Sequence, residues 1–171
     1  YQESRIYQAG DDIRNMDWRV TARAGKPHTK LYQEERERPV VLLVDFNPGM
    51  FFGSTRSLKS VLAAKAAALI AWSVAARGDR IGGLIINATH HEIPPKTGKR
   101  GVLQLIRELV AHGDPQVALQ NRSGHTSMND ELKRLRRIAR PGSLVFIISD
   151  FYDIDKETAN HLQSISRHND I

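Results

Sequence analysis

The chain has 171 residues, 40% hydrophobic and 26% charged, so it is long enough for one domain with a real core. It contains no cysteine, which excludes disulfides, thiolate metal sites and thiol catalysis, and fits a reducing cytoplasm. The formal net charge of +6 makes nucleic acid and acidic proteins the partners to weigh first.

Residues 1–38 are polar and turn-rich, with Gly10, Asp11 and Asp12, and then Ala24 to Pro27, as punctuation. They read as an extension packed on the domain that follows. Asp11, Asp12, Arg14, Asp17 and Arg19 crowd around Trp18, and the expectation is a semi-buried ion-pair network about that ring. The run from Glu34 to Arg38 reads as a solvated edge with internal pairs. Val40 to Val44 is apolar without alternation and ends in Asp45, as in a strand buried on both faces of a parallel sheet. A polar turn follows through Asn47, Pro48, Gly49 and Met50. A helix of low polarity is expected from about Ser57 to Arg77. Its most apolar part, Ala63 to Ala76, contains Lys65 and Ser73 and is shorter than the ~18–20 residues of a membrane span, so no membrane segment is read here.

A second strand is expected at Arg80 to Asn87, and a short edge strand from Thr89 to Ile93, stopped by Pro94 and Pro95. Gly101 to Ala111 and Ser127 to Ala139 carry apolar residues at helical spacing. Leu144 to Ile148 repeats the first strand's design and ends in Ser149 and Asp150. A last helix is expected from about Asp155 to His168. This alternation implies an α/β fold with a mostly parallel sheet and helices on both faces. Aspartates at two strand ends fall on the edge where open α/β sheets bind ligands, and two such carboxylates suit a hard cation.

Three loops then carry a resemblance. Asp45-x-Asn47-x-Gly49 resembles the D-x-S-x-S motif of von Willebrand factor A domains, Gly124-His125-Thr126 their G-G-T loop, and Ser149-Asp150 their aspartate loop. These are the three loops of a metal-ion-dependent adhesion site. The block from Tyr7 to Arg23, with Gly10, Asp11, Asp12, Arg14, Asp17 and Trp18, and the stretch Lys30 to Pro39 resemble the bacterial family called domain of unknown function 58. Its members are von Willebrand A-like and are commonly encoded beside MoxR-type AAA+ ATPases. The resemblance implies a Rossmann-like domain over 39–171. It also implies sheet strands beyond Ile171, and the chain, starting at Tyr1, reads as a piece of a longer protein.

The resemblance places Mg²⁺ or Mn²⁺ at Asp45, Asn47, Thr126 and Asp150. Asn47 keeps an amide oxygen in place of a hydroxyl, but Gly49 supplies nothing, so binding is expected to be weak or absent. The plainer readings are aspartates bonded to loop amides and Thr126 as a helix N-cap. Function is read as protein–protein interaction through a degenerate adhesion site, with a MoxR-type AAA+ ATPase, in assembly or maturation of other proteins in the cytoplasm, and not as catalysis. Gly49, Met50, Lys99 and Arg100 are the expected partner contacts. The alternative is a metal-assisted hydrolase using Asp45 and Asp150. His90, His91 and Glu92 do not make a metal cluster, because neighbours on a strand point to opposite faces. The basic residues Lys133, Arg134, Arg136, Arg137 and Arg140 fill the polar side of one helix, and a 6% aromatic content argues against a nucleic-acid stacking platform.

Overall fold

The turn-rich N-terminal residues contain more regular structure than their composition suggests. The computed structural model describes residues 3–31, 38–54, 56–116, 126–152 and 154–171, in two compact units, Tyr1–Arg36 and Glu37–Ile171. In the first unit, β1 (Glu3–Ile6) runs antiparallel to β2 (His28–Leu31), with Ile6 opposite His28. Between them a single 3-10 turn (Ile13–Asn15) leads into α1 (Trp18–Ala24). Asp17 caps α1 by accepting the Val20 amide at 3.1 Å. Gly25 ends it at φ 66°, a left-handed conformation that glycine adopts without penalty.

The charge cluster is not a network around Trp18, which is 66% exposed. Asp11 pairs with Arg5 at 2.7 Å, Asp12 with Arg14 at 2.9 Å, and Asp17 caps the helix. A seven-residue helix that buries none of its residues offers the indole no interior. Glu34, Glu35, Arg36 and Glu37 lie outside the described residues.

The second unit is built on β3 (Val40–Asp45), every residue of which is buried. After it come a 3-10 turn (Pro48–Phe51), α2 (Lys59–Ala76), β4 (Arg80–Ile86), β5 (His90–Thr97) and α3 (Gly98–Gly113). Then follow α4 (Met128–Ile138), β6 (Leu144–Ile148) and α5 (Lys156–Ser166). The sheet order is β5-β4-β3-β6, with β4, β3 and β6 parallel and β5 antiparallel. It is a mixed α/β fold with a central sheet between helices, as the alternation of elements implied.

The uninterrupted apolar run of β3 now has a physical account. Val40, Leu42 and Val44 pack on one face with Ala63, Ala67 and Ala71 of α2 and Leu105 and Leu109 of α3. Val41 and Leu43 pack on the other with Leu132 and Leu135 of α4 and Ile165 of α5. Side chains alternate along a strand, so a central strand covered on both sides must be apolar throughout. In α2 the alanines recur every fourth residue and form one small-sided stripe toward this core. By length and composition α2 could cross a membrane, the one such helix among the described residues; its alanine stripe is buried here while Leu62, Leu69 and Trp72 remain exposed.

Two boundaries differ from expectation. β5 does not stop before its prolines but runs through Pro94 and Pro95 to Thr97, and α3 begins directly after it at Gly98. β5 is an edge strand, where proline is tolerated, and the pairing slips between Ile81 and Gly83, so the two adjacent prolines sit at a break in the ladder. The closing residues return beside β6. The Val145 amide donates to the Asp170 carbonyl at 2.7 Å, the Asp170 amide donates to Ser143 at 3.1 Å, and Arg38 pairs with the Asp170 carboxylate.

Gly82 sits under the β5 irregularity, where a Cβ would stand 2.7 Å from the Ile93 carbonyl oxygen and 2.8 Å from the Pro95 nitrogen. Both are backbone atoms and cannot swing away. Gly82→Ala is expected to destabilise the protein by about 1–3 kcal/mol, the usual range for overpacking. Urea unfolding of the two proteins measures it, and an unchanged midpoint would refute the steric account.

Candidate functional site

Parallel strands β3 and β6 end together, and the chain leaves each as a polar loop. Asp45, the last residue of β3, is 4% exposed, and a carboxylate buried to that degree needs donors. One oxygen accepts the Asn47 amide at 2.8 Å, and the other accepts the Ser149 hydroxyl at 2.6 Å. The first bond folds the loop after β3 back on itself; the second ties it to the loop after β6. Ser149 Oγ also accepts the Phe151 amide at 3.1 Å, which tightens a turn that holds Phe151 at φ 53°. A bulky residue in that left-handed region is uncommon and carries strain.

Asn47 supplies the third tie. Its amide nitrogen donates to the Thr126 carbonyl and its oxygen accepts the Thr126 amide, each at 3.1 Å. The Thr126 hydroxyl donates to the backbone carbonyl of Asn87, just past β4. Thr126 is therefore not the helix cap; Ser127 holds that position in α4, without a side-chain cap bond. Asp150 meets Lys59, at the first turn of α2, with Nζ 2.9 Å from Oδ2. This ammonium, together with the Tyr152 amide at 3.3 Å, holds the Asp150 carboxyl below its ordinary pKa against the opposing effect of partial burial.

The structure thus brings Asp45, Asn47, Thr126 and Asp150 to one end of the sheet. Gly124 and His125 lie outside the described residues. The loops border an open cleft of about 510 Å³ that Asp45, Asn47, Gly49, Lys59 and Asp150 share with Phe52, Phe151, Tyr152 and Ile154. Tyr152 is 87% exposed, and Phe52 and Ile154 are also exposed.

As arranged, the donor set does not match what a divalent cation requires. Such an ion takes several converging oxygens. Gly49 has none, the Asn47 oxygen accepts an amide, and the facing Asp150 oxygen already holds an ammonium.

The expected partner contacts divide. Gly49 and Met50 both line the cleft, but Met50 is only 3% exposed and packs in the core beneath it, so it supports the loop and offers little surface. Lys99 and Arg100 open α3, which follows Thr97, and Thr97 pairs with Arg80 at the start of β4. Asp45 instead pairs with Ile86 at the other end of β4. The basic pair therefore lies at the opposite end of the sheet and gives these loops no local support; the antiparallel run of β5 through its prolines carries it there. Lys59 and the aromatic rim escaped the sequence reading, and Ser149 was read only as part of the aspartate loop, without its bond to Asp45. Ser149 adjoins Asp150 and was legible in principle. Lys59 carried no local signal beyond a charge at the head of an apolar helix.

Other charges are engaged within the fold. On α4, Lys133 pairs with Glu157 of α5 at 3.1 Å, Arg137 approaches Glu92 of β5 at 3.8 Å, and Arg134 lies 3.3 Å from buried Glu131. His91 and Glu92 do take opposite faces: His91 stacks on His112 of α3, centroids 3.7 Å apart, while Glu92 reaches α4. Burial, then the charge of His112, lowers the His91 pKa, with Glu108 opposing and His90 adding to the effect.

Two predictions follow from these contacts. Asn47→Ala removes both bonds to the Thr126 backbone and should cost about 1–3 kcal/mol, the range for a partner lost from a buried polar group. Amide exchange at Thr126 should quicken, and unchanged exchange would refute the tie. A histidine whose folded pKa is lowered resists protonation in the folded state. Its contribution is fully present above the ordinary value of about 6.5 and is lost as pH falls from there toward the folded pKa. Denaturation midpoints should therefore fall between pH 7.5 and 5, and less so in His91→Gln; identical slopes would reject the assignment.

Solved structures share this architecture. The aerotolerance-related membrane protein of Bacteroides fragilis, crystallised with multiple mutations to serines, superposes with a TM-score of 0.61 at 12% identity, covering 76% of this chain and 62% of that one. The conserved hypothetical protein BatB of Bacteroides thetaiotaomicron gives 0.60 at 10% identity, over 77% and 63%. At such identities the likeness concerns the fold. In sequence, the chain is 39% identical over 150 residues to the uncharacterized proteins Rv1480 of Mycobacterium tuberculosis and Mb1516 of Mycobacterium bovis. The match covers 87% of this chain and 46% of each relative, so the chain spans less than half their length. The family described as protein of unknown function DUF58 matches residues 3–171, and the chain belongs to it.

Proposed function

We propose that this chain is a von Willebrand A-like protein-interaction module with a degenerate adhesion site, docking its partner at the loop cleft and working without catalysis. The observation that carries this reading is the exposed rim of Phe52, Tyr152 and Ile154 around a polar floor. Aromatic side chains give large contact area at small entropic cost and recur at binding hot spots. The strained Phe151 turn supports it, since strain of this kind clusters where a loop is shaped for a ligand. The partner we propose is a MoxR-type AAA+ ATPase, acting with this chain on the assembly or maturation of other proteins in the cytoplasm, where the ATPase finds its ATP. That partner rests on the family resemblance.

Tyr152→Ala and Phe52→Ala together should weaken capture of a MoxR-type AAA+ ATPase by at least about tenfold, with an unchanged thermal melt. Lys99→Glu with Arg100→Glu, at the far end of the sheet, should leave capture unchanged. Equal capture by the wild type and the aromatic double variant would refute the docking face. Turnover of a phosphoester or peptide that disappears in a folded Asp45→Ala protein would replace this reading with the hydrolase.

A further inference from the structure

We infer that Lys59 is a built-in cation: its ammonium stands on the carboxylate a metal would require, so the cleft works without a divalent ion. Three observations converge. First, Lys59 Nζ lies 2.9 Å from Asp150 Oδ2. Second, a Cβ at Gly49 would stand 3.4 Å from that same oxygen, so the position that lacks a ligand and the lysine both address one point. An added side chain meets only an ordinary contact there, so space does not require the glycine. Third, Lys59 sits in the first turn of α2, where the helix dipole disfavours a cation, and that turn holds no acidic residue. The helix does not explain a lysine there, but the carboxylate across the cleft does.

The charge arithmetic follows. Asp150 brings one negative charge to the cleft and Lys59 offsets it, with the Asp45 carboxyl lining the same floor. Without the lysine, two carboxylates at converging strand ends would present a site of the charge and donor type that hard cations select. With it, a divalent ion would have to displace a tethered ammonium. This inference refines the degenerate site of the proposed function and does not depend on the partner.

Mn²⁺ alone is the probe, titrated by calorimetry into the full chain and its variants. The wild type should show no saturable binding up to millimolar Mn²⁺. Lys59→Met should gain one saturable site at least about tenfold tighter, because ligand charge sets the affinity of such sites. Lys59→Met with Gly49→Ser should tighten it further, Asp150→Asn added to Lys59→Met should abolish it, and Lys59→Arg should match the wild type. Lys59→Gln serves in place of the methionine variant should that one melt early. Saturable binding by the wild type that the substitution does not improve, or no gain in folded Lys59→Met and Lys59→Gln, would overturn the inference. Failure to capture the ATPase would leave these titrations unaffected, so the two readings fail separately.

Discussion

The second unit depends on the carboxylate of Asp45. Its strand lies at the centre of the sheet, between β4 and β6, with apolar layers on both faces, so the chain must surface at this strand's end. A polar group buried at the exit needs donors in place of its water. The donors here are an amide from its own loop and a hydroxyl from the loop after β6. Satisfying one buried group therefore fixes two loops. Asn47 extends the constraint to the segment before α4, and Thr126 extends it to the end of β4. The loops after β3 and β6, the segment before α4 and the end of β4 are thus held at one end of the sheet by linked hydrogen bonds.

Much of this was legible before any coordinates. A strand apolar at five successive positions and ending in aspartate has few physical explanations, and β3 and β6 obeyed the expected one. The long helices were legible from their spacing, and the convergence of Asp45, Asn47, Thr126 and Asp150 from loop resemblance. One error began with proline. Proline was given its local meaning at Pro94 and Pro95, but an edge strand tolerates proline, and the strand continued. That continuation carried Lys99 and Arg100 to the far end of the sheet. Composition likewise hid the β1–β2 pair, whose residues alternate too weakly over four positions to show a period. Lys59 was hidden for another reason: its partner lies 91 residues away, and no local pattern announces it.

The same network reaches the histidine pair. The Asn87 carbonyl accepts the Thr126 hydroxyl, while its side-chain oxygen accepts the Thr89 amide and hydroxyl. The Asn87 side-chain nitrogen meets His112 at 3.2 Å, and Thr89 meets His91 at 2.9 Å. Asn87 thus joins the stacked rings to Thr126 through its side chain and its carbonyl. Networks of this kind resist piecemeal change, because a group that moves strands its neighbour's donor or acceptor in a poorly solvated place. Charging the rings would act on Asn87, and Asn87 bears on Thr126.

This arrangement also explains why the site tolerates Gly49. In a cleft held together by a metal, each missing oxygen weakens the whole, because the ion is the common point of attachment. Here the attachment is covalent geometry plus hydrogen bonds between neighbouring loops, and the positive charge arrives on a helix already fixed by its alanine stripe against the core. Removing a ligand from such a site costs the fold little. The loops keep their shape through Asp45, Asn47 and Ser149, and the surface they present is set by Phe52, Tyr152 and Ile154. On the proposed reading, shape and apolar contact carry recognition, with Lys59 and Asp150 as a neutral pair at the base.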